Sequence, residues 1–293
     1  MTPAPTGDAI AAGGFYVSPF GSAQRAAGKA SGAEAAALSR IARSSAALWL
    51  TGADAGQLAE VQSRRAALEG RLPLLVAYGI PNRDCGLYSA GGAADGAAYR
   101  AWIDRVAAGL ADRPAWVVLE PDAVAHAVDG CAGVDAERFG LLAYAVGELK
   151  KHPKVRVYLD AGNAGWVQDR SALARALERA GIGAADGFAL NVSNFYSTEE
   201  SYAYGREVSA ALGGKRFVID TSRNGKGSPG GGSWCNPQGR ALGQEPTTRT
   251  GREGLDALLW VKIPGESDGD CGRGEPAAGE FWISYALGLA GAA

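Results

Sequence analysis

AWVVLEPD, residues 115–122, is a short apolar run rich in β-branched residues that ends on two carboxylates around a proline. A run of this kind, bounded by turn signals, reads as a buried strand. The acids then stand just past its C-terminal end. The same pattern recurs on both sides. VYLDAG puts Asp160 at the end of a run over 155–160, and FVID puts Asp220 at the end of 216–221. VAYGIPNRDCG carries Asp84 past 73–79, and LWVKIPGESDGD carries Glu266, Asp268 and Asp270 past 258–263. Further runs lie at 15–17, 46–50 and 187–192. Amphipathic helical patterns fall between most of them, at 33–43, 54–69, 98–110, 135–149, 171–180, 198–212 and near 280–290. Strand then helix, repeated about eight times, means parallel strands with crossover helices. The expected fold is α/β, a distorted parallel β/α barrel of seven or eight strands similar to a TIM barrel. An open doubly wound sheet is the alternative.

Composition bounds the rest. The 293 residues are 47% apolar, enough for one sizeable core, and no low-complexity linker or internal repeat divides them. One domain over 1–293 is expected. Basic residues number 29 against 31 acidic ones, so no excess of positive charge exists to neutralise nucleic-acid phosphates. No apolar run reaches the roughly 18 residues of a membrane span. The first residues have neither the basic nor the apolar region of a signal peptide. No GxGxxG opens the first helix and no GxxxxGK[ST] occurs, so nucleotide binding has no support. With two histidines, His126 and His152, a multi-histidine metal site is excluded. His152 reads as a solvated loop residue. His126, four residues past Asp122, reads as a packed residue because no third ligand stands nearby in sequence. No metal and no cofactor are expected.

In a parallel barrel the strand ends share one rim, and active sites lie there. Carboxylates from five segments therefore converge, embedded among Gly, Pro and aromatic residues. Crowding in a partly dry cleft raises some of their pKa values, which keeps one acid protonated and able to donate. Without a nucleophile motif this leaves glycoside hydrolysis or divalent-metal chemistry. Trp49, Trp166 and Trp234 lie beside the acid loops, and Tyr78 precedes Asp84. Flat aromatic faces suit the C–H face of a pyranose, which favours the glycosidase. The four cysteines, Cys85, Cys131, Cys235 and Cys271, have no CxxC spacing. Four buried thiols or any of three disulfide pairings are open. Bridges of sequential partners would each add roughly 4 kcal/mol in the chain-entropy model and would place the protein outside the cytosol.

The chain resembles glycoside hydrolase family 6, the inverting cellulases. YGIPNRDCGLYSAGG (78–92) and VVLEPDAV (117–124) are similar to the family's two signatures. YLDAGNAGW (158–166), LNVSNFY (190–196), IDTSRNG (219–225), WCNPQGRALG (234–243) and LWVKIPGESDG (259–269) follow in order. The resemblance implies inverting hydrolysis of β-1,4-glucan, with cellulose and cello-oligosaccharides as the bound partners. It implies Asp122 as the acid, Asp84 as the neighbour that keeps it protonated and relays a proton from water, and Asp268 as the base. Asp160 has a supporting role, and Tyr78 distorts the sugar. Trp49, Trp166, Trp234, Asn163, Lys262 and Glu266 match substrate-binding positions. The pairings Cys85–Cys131 and Cys235–Cys271 are implied too. Two positions depart from the pattern: Asn163 stands for a histidine, and Ala90 for a serine that helps hold the attacking water. The short chain suggests an open cleft and internal cutting; a secreted monomer with no separate cellulose-binding module is expected. An exo-acting cellobiohydrolase and a catalytically weak carbohydrate binder are the alternatives.

Overall fold

The computed structural model describes residues 14–131 and 137–291. Seven strands form one parallel sheet in sequential order: β1 (Leu48–Leu50), β2 (Leu74–Ala77), β3 (Ala115–Leu119), β4 (Val155–Asp160), β5 (Gly187–Leu190), β6 (Arg216–Asp220) and β7 (Leu255–Leu259). The helices are α1 (Ser22–Lys29), α2 (Gly32–Ala42), α3 (Ala55–Leu68), α4 (Gly96–Leu110), α5 (Ala123–Asp129), α6 (Glu137–Lys150), α7 (Arg170–Arg179), α8 (Thr198–Ala211) and α9 (Ile283–Leu289). Local chemistry sets several starts. Asp95 and Asp169 accept the Ala98 and Ala172 N–H groups at 2.8 and 2.9 Å, and Ser197 with Glu200 forms a reciprocal cap on α8.

Strand alternation splits the interior into two cores. Leu74, Val76, Trp116, Val118, Tyr158 and Val218 point inside the curled sheet. Leu75, Ala77, Val117, Leu119, Val157 and Leu159 point outward, under the helices. Helices α3 and α4 press together through glycine. A Cβ on Gly109 would lie 2.2 Å from the Gly56 carbonyl oxygen, so only a bare backbone fits there.

Strands β1 and β7 share no ladder, so the wall is open at this seam. Two hydrogen bonds still draw its edges together. The Ala47 N–H donates to the Trp260 carbonyl at 3.0 Å, and the Trp49 indole to the Val261 carbonyl at 2.9 Å. The distorted barrel is thus seven-stranded. Three expectations shift. The 15–17 run makes only one bridge, Phe15 to Leu72. The last run belongs to a strand that ends at Leu259, because Asp220 captures the next free N–H groups, of Val261 at 3.2 Å and Lys262 at 2.9 Å. The helix expected over 135–149 begins at Glu137 among the described residues. Helices α1 and α5 were not anticipated.

Candidate active site

A cavity of about 790 Å³ covers the C-terminal rim. Its walls include Asp84, Asp122 and Asp268, Tyr78, the three tryptophans, Asn163, Lys262 and Glu266. Trp49 stands at the β1 end and Trp166 past β4, so the cleft crosses the rim from the seam to the opposite side. Of the proposed site residues outside the cysteines, only Asp160 lies behind the wall.

Strand β3 delivers Asp122 through an unusual turn. Glu120 and Asp122 both have left-handed backbones (φ 48° and 70°) on either side of Pro121. Such conformations cost a non-glycine residue free energy and persist where surrounding contacts enforce them. Here the contacts are carboxylates. Buried Glu120 accepts the Gly79 N–H at 3.0 Å and the Ile80 N–H at 3.1 Å, fixing the loop after β2. Asp160, 1% exposed, accepts the N–H of Asp122 itself at 2.9 Å and that of Gly162 at 3.0 Å. Its Oδ2 is thus turned to the backbone of the Asp122 and Gly162 turns rather than into the cleft.

Burial raises the Asp122 pKa most, and the negative charges of Asp160 and Asp84 push it further; His126 and a hydrogen bond from Tyr78 pull it back. The Asp160 pKa is raised too, chiefly by burial. Asp122 thus has a raised pKa while lining the cleft. Asp84 follows β2 in a loop where Asn82, Asp84 and Cys85 all have left-handed backbones. Its Oδ2 accepts the Ser89 N–H at 2.7 Å. Arg83 pins the same loop through the carbonyls of Ser89 (2.7 Å), Tyr78 (2.8 Å) and Ala90 (3.2 Å). Donor atoms of Asp84, Asp122 and His126 lie within 4.8 Å of one another. His126 is therefore a cleft residue, contrary to its reading as simple packing. The third group near it, Asp84, comes from a distant segment and could not be seen from spacing. The His126 ring meets Trp166 edge-on at 4.8 Å.

Across the cleft, Asp268 is held by cations. Arg223, fully buried, donates to its Oδ2 at 2.8 Å, and Lys262 Nζ lies 3.7 Å from its Oδ1. The Asn236 N–H adds a bond at 3.0 Å. Burial lowers the Lys262 pKa and the Asp268 charge raises it again. Glu266 accepts the Ser22 hydroxyl at 3.0 Å, and burial raises its pKa. Tyr78 packs edge-on to Trp49 at 5.3 Å. Asn163 Oδ1 accepts the Gly165 N–H at 3.1 Å, and Trp234 is 38% exposed at the lip.

Both disulfides brace this machinery. Cys85–Cys131 ties the Asp84 loop to the far end of α5, the helix that starts after Asp122. Cys235–Cys271 ties the Trp234 loop to the Asp268 loop. Sequence reasoning placed Asp220 on the rim of acids. It is instead a brace, accepting N–H groups of Ser193, Ser222, Val261 and Lys262. Reasoning from the sequence missed Arg223 and Asn236. A lone arginine among small residues directly after a strand, in IDTSRNG, was the available signal.

A curled parallel β/α sheet whose C-terminal rim gathers carboxylates between aromatic walls is an architecture of the glycoside hydrolase class. The family model for glycosyl hydrolases family 6 matches residues 10–293, and the chain belongs to that family. It is 49% identical over 281 residues to endoglucanase A of Cellulomonas fimi, covering 94% of this chain and 61% of that protein. It is 47% identical to endoglucanase 1 of Streptomyces halstedii, covering 92% and 85%. It thus spans less than two thirds of the first relative's length. The structure superposes on the endoglucanase Cel6 of Mycobacterium tuberculosis with a TM-score of 0.91 at 46% identity, over 97% of this chain and 98% of that one. That enzyme was solved with methyl-cellobiosyl-4-deoxy-4-thio-β-D-cellobioside.

Proposed function

We propose that the chain is an inverting endo-β-1,4-glucanase that hydrolyses internal bonds of cellulose and soluble β-glucans. The observation that carries this reading is Asp122, whose pKa is raised by burial and two neighbouring carboxylates, in a cleft walled by Trp49, Trp166 and Trp234. A flat sugar stacks on such faces while its hydroxyls meet the polar rim. The names of the relatives agree. Internal cutting is supported by the exposed lip at Trp234 and by α7, which starts four residues past Trp166 and leaves little chain for a roof.

In this mechanism the Asp122 O–H passes its proton to the glycosidic oxygen as the bond to the anomeric carbon breaks. Water attacks that carbon from the opposite face and loses a proton, so the new hemiacetal has the inverted configuration. Asp84 and Asp122 oxygens stand within 4.8 Å, closer than the roughly 6.5–9.5 Å that accommodates a water between an inverting pair. Asp84 therefore takes the proton through an intervening water. Asp268 is already engaged by the buried Arg223 at 2.8 Å and by the Asn236 N–H at 3.0 Å, with Lys262 at 3.7 Å. Its proposed task is to hold Lys262 and the adjoining loop. Ala90 lines the cleft without a hydroxyl, so backbone groups and Ser89 are left to orient the water. The two disulfides support an extracellular setting. We also infer one catalytic domain acting as a monomer without a metal. Among the described residues no helix is long and apolar enough to cross a membrane.

Asp122→Asn tests the assignment. Loss of a positioned acid should cost roughly 10²–10⁴ in kcat on cellopentaose, with binding retained. An aryl cellobioside with a good leaving group should lose far less. Undiminished hydrolysis of cellopentaose would refute the role.

A further inference from the structure

A second cavity, about 360 Å³, opens where the sheet fails to close. It lies outside the β1–β7 seam, between the segment around α1 and the face of α3. Its volume falls in the range of small-molecule sites, roughly 300–1,000 Å³. Leu48 and Ile263 line both this groove and the catalytic cleft. The groove therefore adjoins the cleft, with these two side chains between them, near Trp49. A hydrogen bond crosses the junction as well, from Ser22 of α1 to the cleft residue Glu266 at 3.0 Å.

The groove has the make-up of a sugar platform. Phe20 stands at its edge with 60% of its surface in water, and thus contributes little to any core. The Arg65 guanidinium lies over one face of the ring, 4.3 Å from its centroid, and Arg25 donates to the Phe20 carbonyl, so the residue is held in place. Apolar Val61 and Ile41 form the groove's walls, with Ser18 and Gln62 as polar points. A β-1,4-glucan is a stiff, extended chain. A strand lying across the rim past Trp49 has to leave over the seam, where no ladder raises the wall.

We propose that this groove is an additional glucan subsite beyond Trp49, in which a further glucosyl residue of the bound chain stacks on Phe20 and offers its hydroxyls to the polar rim. The proposal rests on the endoglucanase reading. Its consequence is a preference for longer chains, set by Phe20 and not by the catalytic centre.

The test compares kcat/KM on cellotetraose and cellohexaose for the wild type, Phe20→Ala and Phe20→Trp, with thermal unfolding as a check on folding. An exposed ring can be truncated without opening the core. Loss of one stacking contact predicts a drop of roughly three- to tenfold in kcat/KM on cellohexaose through KM. Cellotetraose should be unaffected, and Phe20→Trp should restore the long-chain rate. Equal losses on both substrates, or no loss on either, would overturn the subsite while leaving the endoglucanase reading intact. A wild type that cleaves neither substrate would overturn both.

Discussion

Asp84→Asn isolates the electrostatic part of the mechanism. The substitution removes one negative charge whose oxygen lies within 4.8 Å of the Asp122 carboxyl, while an amide oxygen can still accept the Ser89 N–H. Two unit charges at 4.8 Å interact by about 3.5 kcal/mol at an effective dielectric near 20. Water in the open cleft screens this by roughly half. The remainder, about 1.7 kcal/mol, corresponds to a little over one pH unit. The sign follows from the role of Asp122. Its pKa is raised, so the protonated acid persists as pH rises and activity falls when that pKa is passed. Removing the Asp84 charge lowers the pKa, and the alkaline limb of the kcat profile should move down by about one pH unit. The assay is kcat on cellopentaose from pH 4 to pH 9, normalised to each enzyme's own maximum so that the loss of the relay does not mask the shift. An unmoved limb, or one displaced upward, would refute the electrostatic reasoning even if total activity fell.

Two further predictions concern stability. Arg223→Met leaves Asp268 with Lys262 as its cation and the Asn236 N–H as its hydrogen bond, and breaking a buried pair should cost about 3–5 kcal/mol in urea unfolding; a change under about 1 kcal/mol would show that the pair is not structural. Burial raises the Glu120 pKa to about 7. The folded protein thus binds this proton more tightly than the unfolded chain. Its contribution is full below about pH 4.5 and is lost as pH rises through about 7, worth roughly 3 kcal/mol. Glu120→Gln should flatten the fall in thermal stability over that window, and an unchanged slope would contradict the assignment.

The strand-end acids were legible because a parallel sheet converts position in sequence into position on a rim. Asp84, Asp122 and Asp268 reach the cleft for that reason. The same logic could not separate them from Asp160 and Asp220, whose carboxylates turn back to satisfy backbone N–H groups. Whether an acid faces solvent or a strand end depends on which donors the neighbouring strands leave free. Helix α5 escaped notice because it has seven residues and starts from a left-handed Asp122, too short for periodicity to register. In β7 the apolar run continues past Leu259 although the ladder stops there. Burial under α1 and α2 explains the apolar Trp260 as well as strand pairing would. His126 and the Arg223–Asp268 pair are contacts between distant segments, and spacing along one sequence carries no trace of them.

The most direct measurement follows cellohexaose hydrolysis by proton NMR from the first seconds, before the anomers equilibrate. Release of new ends as the α-anomer, among fragments of mixed length, is the predicted result. Initial β-anomer would contradict single displacement by water and, with it, the roles proposed for Asp122 and Asp84.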